Sequence, residues 1–257
     1  MKQEIVKHIK GRLLEIEKEH DVQIIYAIES GSRAWGFESV DSDYDVRFIY
    51  IHKKDWYLNV FPKRDVIEYP IIDDFDYSGW DIKKALFLLN KSNPVLFEWL
   101  RSPIIYMKSE PHYKTIKKVS DEYFSPISST FHYLHMAIGN FREYLKKDKV
   151  RIKKYFYVLR PILACMWIEK FNESPPMEFE NLLGLIKNDE SIYSCIIELL
   201  SRKRSGKELG LEKRIDPLNL FIEKKLEYFQ SITSEYEKQK KPKKEHLDSI
   251  FRDLLNM

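Results

Sequence analysis

Two aspartates, Asp43 and Asp45, stand one residue apart at the start of an apolar-rich run that continues to Ile51. Side chains alternate along a β-strand, so both carboxylates project from the same face and repel each other unless a cation lies between them. Carboxylate oxygens are hard ligands of the kind that magnesium prefers. The pair therefore predicts a strand with a divalent-cation site at its beginning.

A Gly-Ser pair precedes the aspartates by ten intervening residues. Gly31 and Ser32 follow the apolar run 22–28, which we predict to be a buried strand, so the pair marks a turn from strand into helix. Glycine permits a close approach of the backbone, and the free N–H groups and hydroxyl of such a turn can receive phosphate. A phosphate-binding turn close to a magnesium pair indicates a nucleotide site.

The motif Gly31-Ser32, spacer, Asp43-Tyr44-Asp45 resembles the signature of the DNA polymerase beta-like nucleotidyltransferase superfamily. The longer string Ser30-Gly-Ser-Arg-Ala-Trp-Gly-Phe, with Ser42-Asp-Tyr-Asp, is similar to a narrower family, the predicted nucleotidyltransferases of the YcgL/RlaP type. The narrower resemblance runs through most of the chain. It implies an α+β fold, in which a nucleotidyltransferase-fold mixed β-sheet with flanking helices is followed by an all-helical C-terminal domain.

The resemblance also implies a reaction. A hydroxyl would attack the α-phosphate of a nucleoside triphosphate and release pyrophosphate, with ATP as the first candidate donor and an RNA, a protein or a small molecule as acceptor. Two Mg²⁺ ions are the implied cofactors, held by Asp43 and Asp45 together with a third carboxylate. Gly31 and Ser32 would bind the β- and γ-phosphates, and Arg33 would contact phosphate or the neighbouring carboxylates.

Three acids compete for the third carboxylate: Glu68, Asp76 and Asp81. The string that begins at Asp76 and ends at Glu98-Trp99-Leu100 is similar to one in related predicted nucleotidyltransferases, which favours Asp76. In that role Asp76 is the remaining metal ligand and orients or deprotonates the attacking hydroxyl. As alternatives, Asp81 caps the helix that follows it and Glu68 is a surface residue of a strand.

Strand signals end near Glu110-Pro111 and helical periodicity follows. We therefore expect a nucleotidyltransferase catalytic domain at 1–110 and a helical domain at 111–257.

One helix of the second domain carries a further candidate site. Its segment 153–161 resembles a string of the narrow family and places Lys153, Tyr157 and Arg160 on one face. Interleaved basic and aromatic groups suit a base ring and its phosphates, so these three residues are nucleotide-binding candidates. The alternative is a basic surface helix whose aromatic residues belong to the core.

Charge and hydropathy bound the remaining functions. The 43 basic and 40 acidic residues nearly cancel, so strong nonspecific binding of nucleic acid is not expected. Basic clusters at 202–207 and 238–244 either hold RNA phosphates or are solvated helix ends, and Lys83 and Lys84 either reach the triphosphate or belong to a solvated helix face. No membrane span or signal segment is recognisable, which predicts a cytoplasmic protein without a membrane partner.

Two rival functions stay open: a catalytically silent nucleotide-binding module, and an RNA-binding or RNA-repair accessory protein.

Overall fold

The computed structural model describes residues 2–205, 210–233 and 243–257. These residues form two compact units. The first unit takes its residues from 1–34, 43–123 and 241–257, and the second from 35–42 and 124–240. The expected domain boundary is at residue 110, and the observed division differs from it. A helix that follows residue 110 and a helix at the C-terminal end of the chain both pack within the first unit.

Both units contain helices and strands. The helices are α1 (Gln3–His20), α2 (Gly31–Ala34), α3 (Lys54–Tyr57), α4 (Ile82–Asn90), α5 (Pro94–Trp99), α6 (Glu110–Tyr123), α7 (Pro126–Tyr144), α8 (Lys154–Phe171), α9 (Phe179–Leu183), α10 (Glu190–Arg204), α11 (Asp216–Thr233) and α12 (Lys244–Leu254), with a 3-10 turn at Gly184–Ile186. The strands are β1 (Val22–Glu29), β2 (Tyr44–His52), β3 (Val66–Glu68), β4 (Phe75–Asp81), β5 (Ile105–Lys108), β6 (Lys149–Arg151) and β7 (Leu211–Lys213).

A mixed sheet with the strand order β3-β4-β2-β1-β5 organises the first unit. Strands β1 and β2 are antiparallel neighbours, whereas β2 and β4 run parallel. The first residues of β2 and β4 therefore lie at the same edge of the sheet, and their last residues lie at the opposite edge. The expected α+β architecture is confirmed for this part of the chain.

The amphipathic helix α1 covers the sheet. Its apolar residues Ile9, Leu13 and Ile16 follow the helical period and are fully buried in one cluster with Val46 and Phe48 of β2. These buried contacts anchor β2 against α1, and the residues at the start of β2 therefore extend from a backbone that is held by the core.

The second unit is mainly helical. Helices α7, α8 and α11 pack together around large buried side chains such as Tyr155, Phe156 and Phe229. Strands β6 and β7 add a two-stranded sheet, which the expectation of an all-helical domain did not include. None of the helices described in either unit is both long enough and apolar enough to cross a membrane.

Candidate active site

Asp45 and Asp76 occupy matching positions on the parallel strands β2 and β4. Arg47, two residues along β2 and hence on the same face, contacts both of them. Its Nη2 atom lies 3.0 Å from Oδ1 of Asp45 and 2.6 Å from Oδ2 of Asp76, and its Nη1 donates to the Asp76 carbonyl at 2.9 Å. The structure thus brings two of the three predicted carboxylates together around one cationic group.

Asp43 lies just outside β2, and its side chain is exposed. Its backbone carbonyl accepts a hydrogen bond from Nε of Arg33 at 3.1 Å, and the guanidinium of Arg33 lies 3.9 Å from the centre of the Tyr44 ring. Arg33 therefore holds the entrance to β2 through the backbone of Asp43. The expectation that Asp43 and Asp45 both lie within the strand differs from the observed strand by one residue.

The electrostatics of Asp45 match those of a crowded acidic site. Burial is the largest influence and raises the pKa of its carboxyl group, and the negative charges of Asp76 and Asp43 raise the pKa further. The positive charges of Arg47 and Arg33 oppose the shift. An acid that is partly desolvated and faces two others holds its charge at a cost unless a cation is present, which is the condition under which a metal ion binds favourably.

Gly31 packs directly against Asp45. Its φ angle is +57°, and a β-carbon at this position would stand 1.8 Å from Oδ2 of Asp45. Ser30 fixes the turn to the strand, because its N–H donates to the Asp45 carbonyl at 2.8 Å. Ser32 follows in α2. The Gly-Ser turn and the carboxylates, which are separated in sequence, are therefore in contact in the structure.

Glu29, at the end of β1, is a further residue of this site that the sequence analysis missed. It is fully buried, its Oε1 accepts from the Asp45 N–H at 2.9 Å, and its Oε2 accepts from the Tyr106 hydroxyl. Burial raises the pKa of Glu29 to about 7. Glu29 positions the backbone of Asp45. The signal in the sequence is a charged residue that ends an apolar strand directly before the Ser-Gly turn.

The two rival acids lie elsewhere. Glu68 is exposed and forms an ion pair with Arg64. Asp81 ends β4, at the sheet edge opposite Asp76, and its Oδ1 caps α4 by accepting from the Lys83 N–H at 2.8 Å. Among the three candidates, Asp76 is the one beside Asp45.

The nucleotide-binding candidates of α8 lie in the second unit, in different environments. Lys153 and Tyr157 are exposed, whereas Arg160 is only 4% exposed. The guanidinium of Arg160 lies 4.7 Å from the centre of the Trp35 ring, and its Nη2 is 3.4 Å from the Met177 carbonyl. The expected common face is thus divided, with Arg160 in the interior of the unit and the other two residues at its surface.

A proline inside α8 changes the hydrogen bond that the Tyr157 backbone carbonyl accepts. Pro161 has no N–H to donate to the Tyr157 carbonyl four residues earlier. The side-chain amide of Asn140, on α7, donates to that carbonyl at 3.1 Å instead. The helix therefore continues through the proline, and Tyr157 is fastened to the neighbouring helix.

The described residues of the basic cluster at 202–207 make contacts within the second unit. Arg202 forms an ion pair with Glu212, and Arg204 forms one with Glu180. Burial lowers the pKa of Lys203. Residues 206–207 of this cluster and 238–242 of the other lie outside the described part of the chain.

The donor chemistry at the sheet edge suits magnesium, but only in part. Asp45 and Asp76 supply carboxylate oxygens that already converge on one positive group. Within residues 2–205, 210–233 and 243–257, however, no three His, Cys, Asp or Glu side chains form a group that could hold a metal ion. The Nη2 atom of Arg47 lies between the two carboxylates and would have to move for an ion to bind there.

Comparison with known proteins gives the family. The family described as "RlaP: RNA repair pathway DNA polymerase beta family" matches residues 5–253. A curated relative from Bacillus subtilis (strain 168), "Uncharacterized protein YcgL", is 47% identical over 250 residues, which cover 97% of this chain and 95% of the relative. A crystal structure of a nucleotidyltransferase-like protein from Exiguobacterium sibiricum 255-15 aligns with 86% of this chain and 75% of its own, at 12% identity and a TM-score of 0.35, too low to support a conclusion.

Both the family match and the relative span almost the whole chain, and the family description agrees with the Gly-Ser and Asp-Tyr-Asp motif that the structure brings into contact. The protein belongs to the RlaP family, the RNA repair pathway DNA polymerase beta family, which points to a polymerase beta-like nucleotidyltransferase.

Proposed function

We propose that the protein is a magnesium-dependent nucleotidyltransferase that moves a nucleoside monophosphate from a nucleoside triphosphate, with ATP as the first candidate, to a hydroxyl acceptor. The observation that carries this proposal is the arrangement of Asp45 and Asp76, which converge on one cationic group beside the Gly31 turn. A catalytic site for this reaction needs acids that share a cation and a backbone turn that can approach phosphates.

In the proposed reaction, each residue of the site has a separate role. Asp45 and Asp76 would hold the metal, with Asp43 joining them from just before the start of β2. When bound, two magnesium ions would neutralise the charge that develops on the attacking and leaving oxygens. Gly31 and Ser32 would bind the β- and γ-phosphates through the backbone and the hydroxyl.

Asp76 would orient the acceptor hydroxyl and receive its proton. The acceptor oxygen forms a bond to the α-phosphorus, the bond from that phosphorus to the β-phosphate oxygen breaks, and pyrophosphate leaves. Arg47, once displaced from between the carboxylates, would contact the negative phosphates. The nucleotide-binding role of Lys153, Tyr157 and Arg160 stays a prediction, and within the second unit Arg160 would position Trp35.

A silent nucleotide-binding module is the second candidate, and Arg47 is the observation that favours it. A resident guanidinium pairs with both Asp45 and Asp76 and offsets part of their negative charge without a metal ion. Such a module would bind nucleotide without consuming it.

The test is a transfer assay with purified protein, each α-³²P-labelled nucleoside triphosphate, magnesium, and separate fractions of cellular RNA, protein and metabolites. Label transfer and pyrophosphate release are followed together, in wild type and in Asp45→Asn. Asp74→Asn is the matched control, because Asp74 is exposed and its backbone φ of +66° is one that asparagine tolerates.

We expect label in one fraction, lost in Asp45→Asn and retained in Asp74→Asn. Retention of labelled nucleotide by the protein, with neither transfer nor pyrophosphate release in any fraction, would contradict transfer and support the silent module instead. Equal turnover by wild type and Asp45→Asn would show that the site lies elsewhere.

A further inference from the structure

The first unit contains a cavity of about 500 Å³. Its lining comes from α3 and the loop after it, from the last residue of β4, from α4 along most of its length, and from α12. Because β2 and β4 run parallel, this cavity lies beyond their last residues, whereas Asp45 and Asp76 lie near their first. The cavity is therefore separate from the proposed active site.

Aromatic side chains form the walls of the cavity. Trp56 stacks on His52 with ring centres 3.8 Å apart and planes 7° apart, and Tyr57 meets Phe251 edge to face at 5.0 Å. These contacts hold the walls in place. Phe61, by contrast, is 81% exposed, and Phe87 is also exposed. Exposed aromatic rings at the mouth of a cavity present flat apolar faces to a ligand.

Four lysines and three aspartates line the cavity, and one of the aspartates, Asp248, is exposed. The carboxylate of Asp65 is paired with Lys84 at 3.0 Å. Asp81 is buried and accepts from the Tyr57 hydroxyl at 2.7 Å and from the Lys83 N–H. Lys63, Lys83 and Lys244, which line the same cavity and are exposed, form no ion pair with any residue that the structure describes.

A ligand that satisfies this lining combines a planar ring with negative charge. Base rings stack on aromatic side chains, and phosphates pair with lysine ammonium groups. A cavity of this size also lies within the range of small-molecule sites, about 300 to 1,000 Å³. Lys63 already lies over the Trp56 ring, at 5.4 Å from its centre. A purely apolar ligand would leave Lys83 and Lys244 without a counter-charge, and an inorganic anion would leave the aromatic rings without a stacking partner.

We propose that this cavity is a second nucleotide site, which takes a nucleobase stacked on the aromatic walls and its phosphate on Lys83 and Lys244. The nucleotide is either free or part of a single strand, since both present the same chemistry. This site goes beyond the proposed transfer reaction and does not depend on it.

Binding is measured with the full-length protein in EDTA. Isothermal titration calorimetry reports on ATP and UTP, and fluorescence anisotropy reports on fluorescein-labelled single-stranded oligo(A) and oligo(U). Two variants address the two halves of the ligand: Phe61→Ala removes an exposed stacking face, and Lys83→Gln with Lys244→Gln removes two positive charges. Since these side chains are exposed, their replacement leaves the core intact.

Each variant has a control of the same chemistry. Phe171→Ala removes another exposed phenyl ring, and Lys10→Gln with Lys18→Gln removes two exposed charges from α1 of the same unit. We expect each cavity variant to weaken binding by about tenfold, the scale of one lost base stack, and each control by less than twofold.

Tighter binding of the strands than of the free nucleotides would support the proposal and identify a strand as the source. Comparable affinities would support it with a free nucleotide. An absence of saturable binding, or equal affinities for cavity variants and controls, would overturn it. Because no transfer is required in EDTA, failure here leaves the transfer assay unaffected, and failure of transfer leaves this measurement readable.

Discussion

Gly31 and Asp45 are in contact so close that no side chain fits between them: a β-carbon on residue 31 would stand 1.8 Å from Oδ2 of Asp45. The turn proposed to bind phosphates therefore packs directly against the carboxylate proposed to bind metal. A substitution at residue 31 should displace the Asp45 carboxylate, so one variant tests the phosphate-binding turn and the metal site together.

Gly31→Ala should reduce nucleotidyl transfer by at least about 100-fold, because the new methyl group pushes the Asp45 carboxylate away from Asp76. The same change should lower the free energy of unfolding by about 1 to 3 kcal/mol through the clash and the positive φ. Gly36→Ala separates the two causes, since Gly36 has a φ of +81° but a β-carbon added there would meet nothing within 4 Å. Equal losses of activity in the two variants would contradict the steric explanation.

The choice of Asp76 as third carboxylate leads to a direct comparison. Asp76→Asn should lower transfer by about 1,000-fold or more, because it removes a ligand charge next to Asp45. Glu68→Gln should stay within about twofold of wild type, since Glu68 is exposed and pairs only with Arg64 among the described residues. Label transfer from an α-³²P nucleotide, on variants matched for thermal stability, checks the expectation. A loss in Glu68→Gln as large as that in Asp76→Asn would refute the assignment.

Arg47 provides a measurement that does not need the acceptor. In EDTA, Arg47→Gln leaves Asp45 and Asp76 facing each other without a cation, so we expect a loss of about 1 to 3 kcal/mol in the free energy of unfolding. Magnesium should restore most of that loss, because an ion can take the vacated place. Arg64→Gln is the control, whose exposed ion pair should contribute under about 1 kcal/mol with no response to magnesium.

If magnesium fails to stabilise Arg47→Gln, the two carboxylates do not form an ion site. The silent nucleotide-binding module would then be the better description of this protein.

Local sequence was sufficient for the features that depend on neighbouring residues. The strand before Gly31, the strand that carries Asp45 and the capping role considered for Asp81 all follow from short-range patterns and are present in the structure. The family was likewise recognisable from one motif, because its residues lie within a short segment.

The remaining features depend on which strand lies beside which. Arg47 bridges the two acids only because β2 pairs with β4 in parallel, with Asp45 opposite Asp76, and no local pattern specifies that register. Glu29 reaches the Asp45 backbone for the same reason, through the pairing of β1 with β2. Helical spacing predicts one face shared by Lys153, Tyr157 and Arg160, but α8 is buried on most sides, so helical periodicity could not show which of these residues face solvent.

The burial of Asp81 predicts a pH dependence of stability. The residue is 1% exposed, and burial raises the pKa of its carboxyl group from 3.8 to about 6. The charge of Asp65 raises this pKa further, whereas the Tyr57 hydroxyl, the Lys83 N–H and the Lys83 charge lower it. The folded protein therefore holds this proton more tightly than the unfolded chain does. The stabilisation that results is complete below about pH 4 and is lost as the pH rises through about 6.

Asp81→Asn should remove this dependence, since asparagine also caps a helix but does not ionise. The free energy of unfolding of the variant, minus that of wild type, should rise by roughly 2 to 3 kcal/mol between pH 4 and pH 7. Urea denaturation at several pH values measures the difference, in which the titration of other buried acids such as Glu29 cancels. Asp74→Asn, at an exposed position, should give a difference that does not change with pH. A flat difference for Asp81→Asn as well would mean that this carboxyl group is already ionised in the folded protein at low pH.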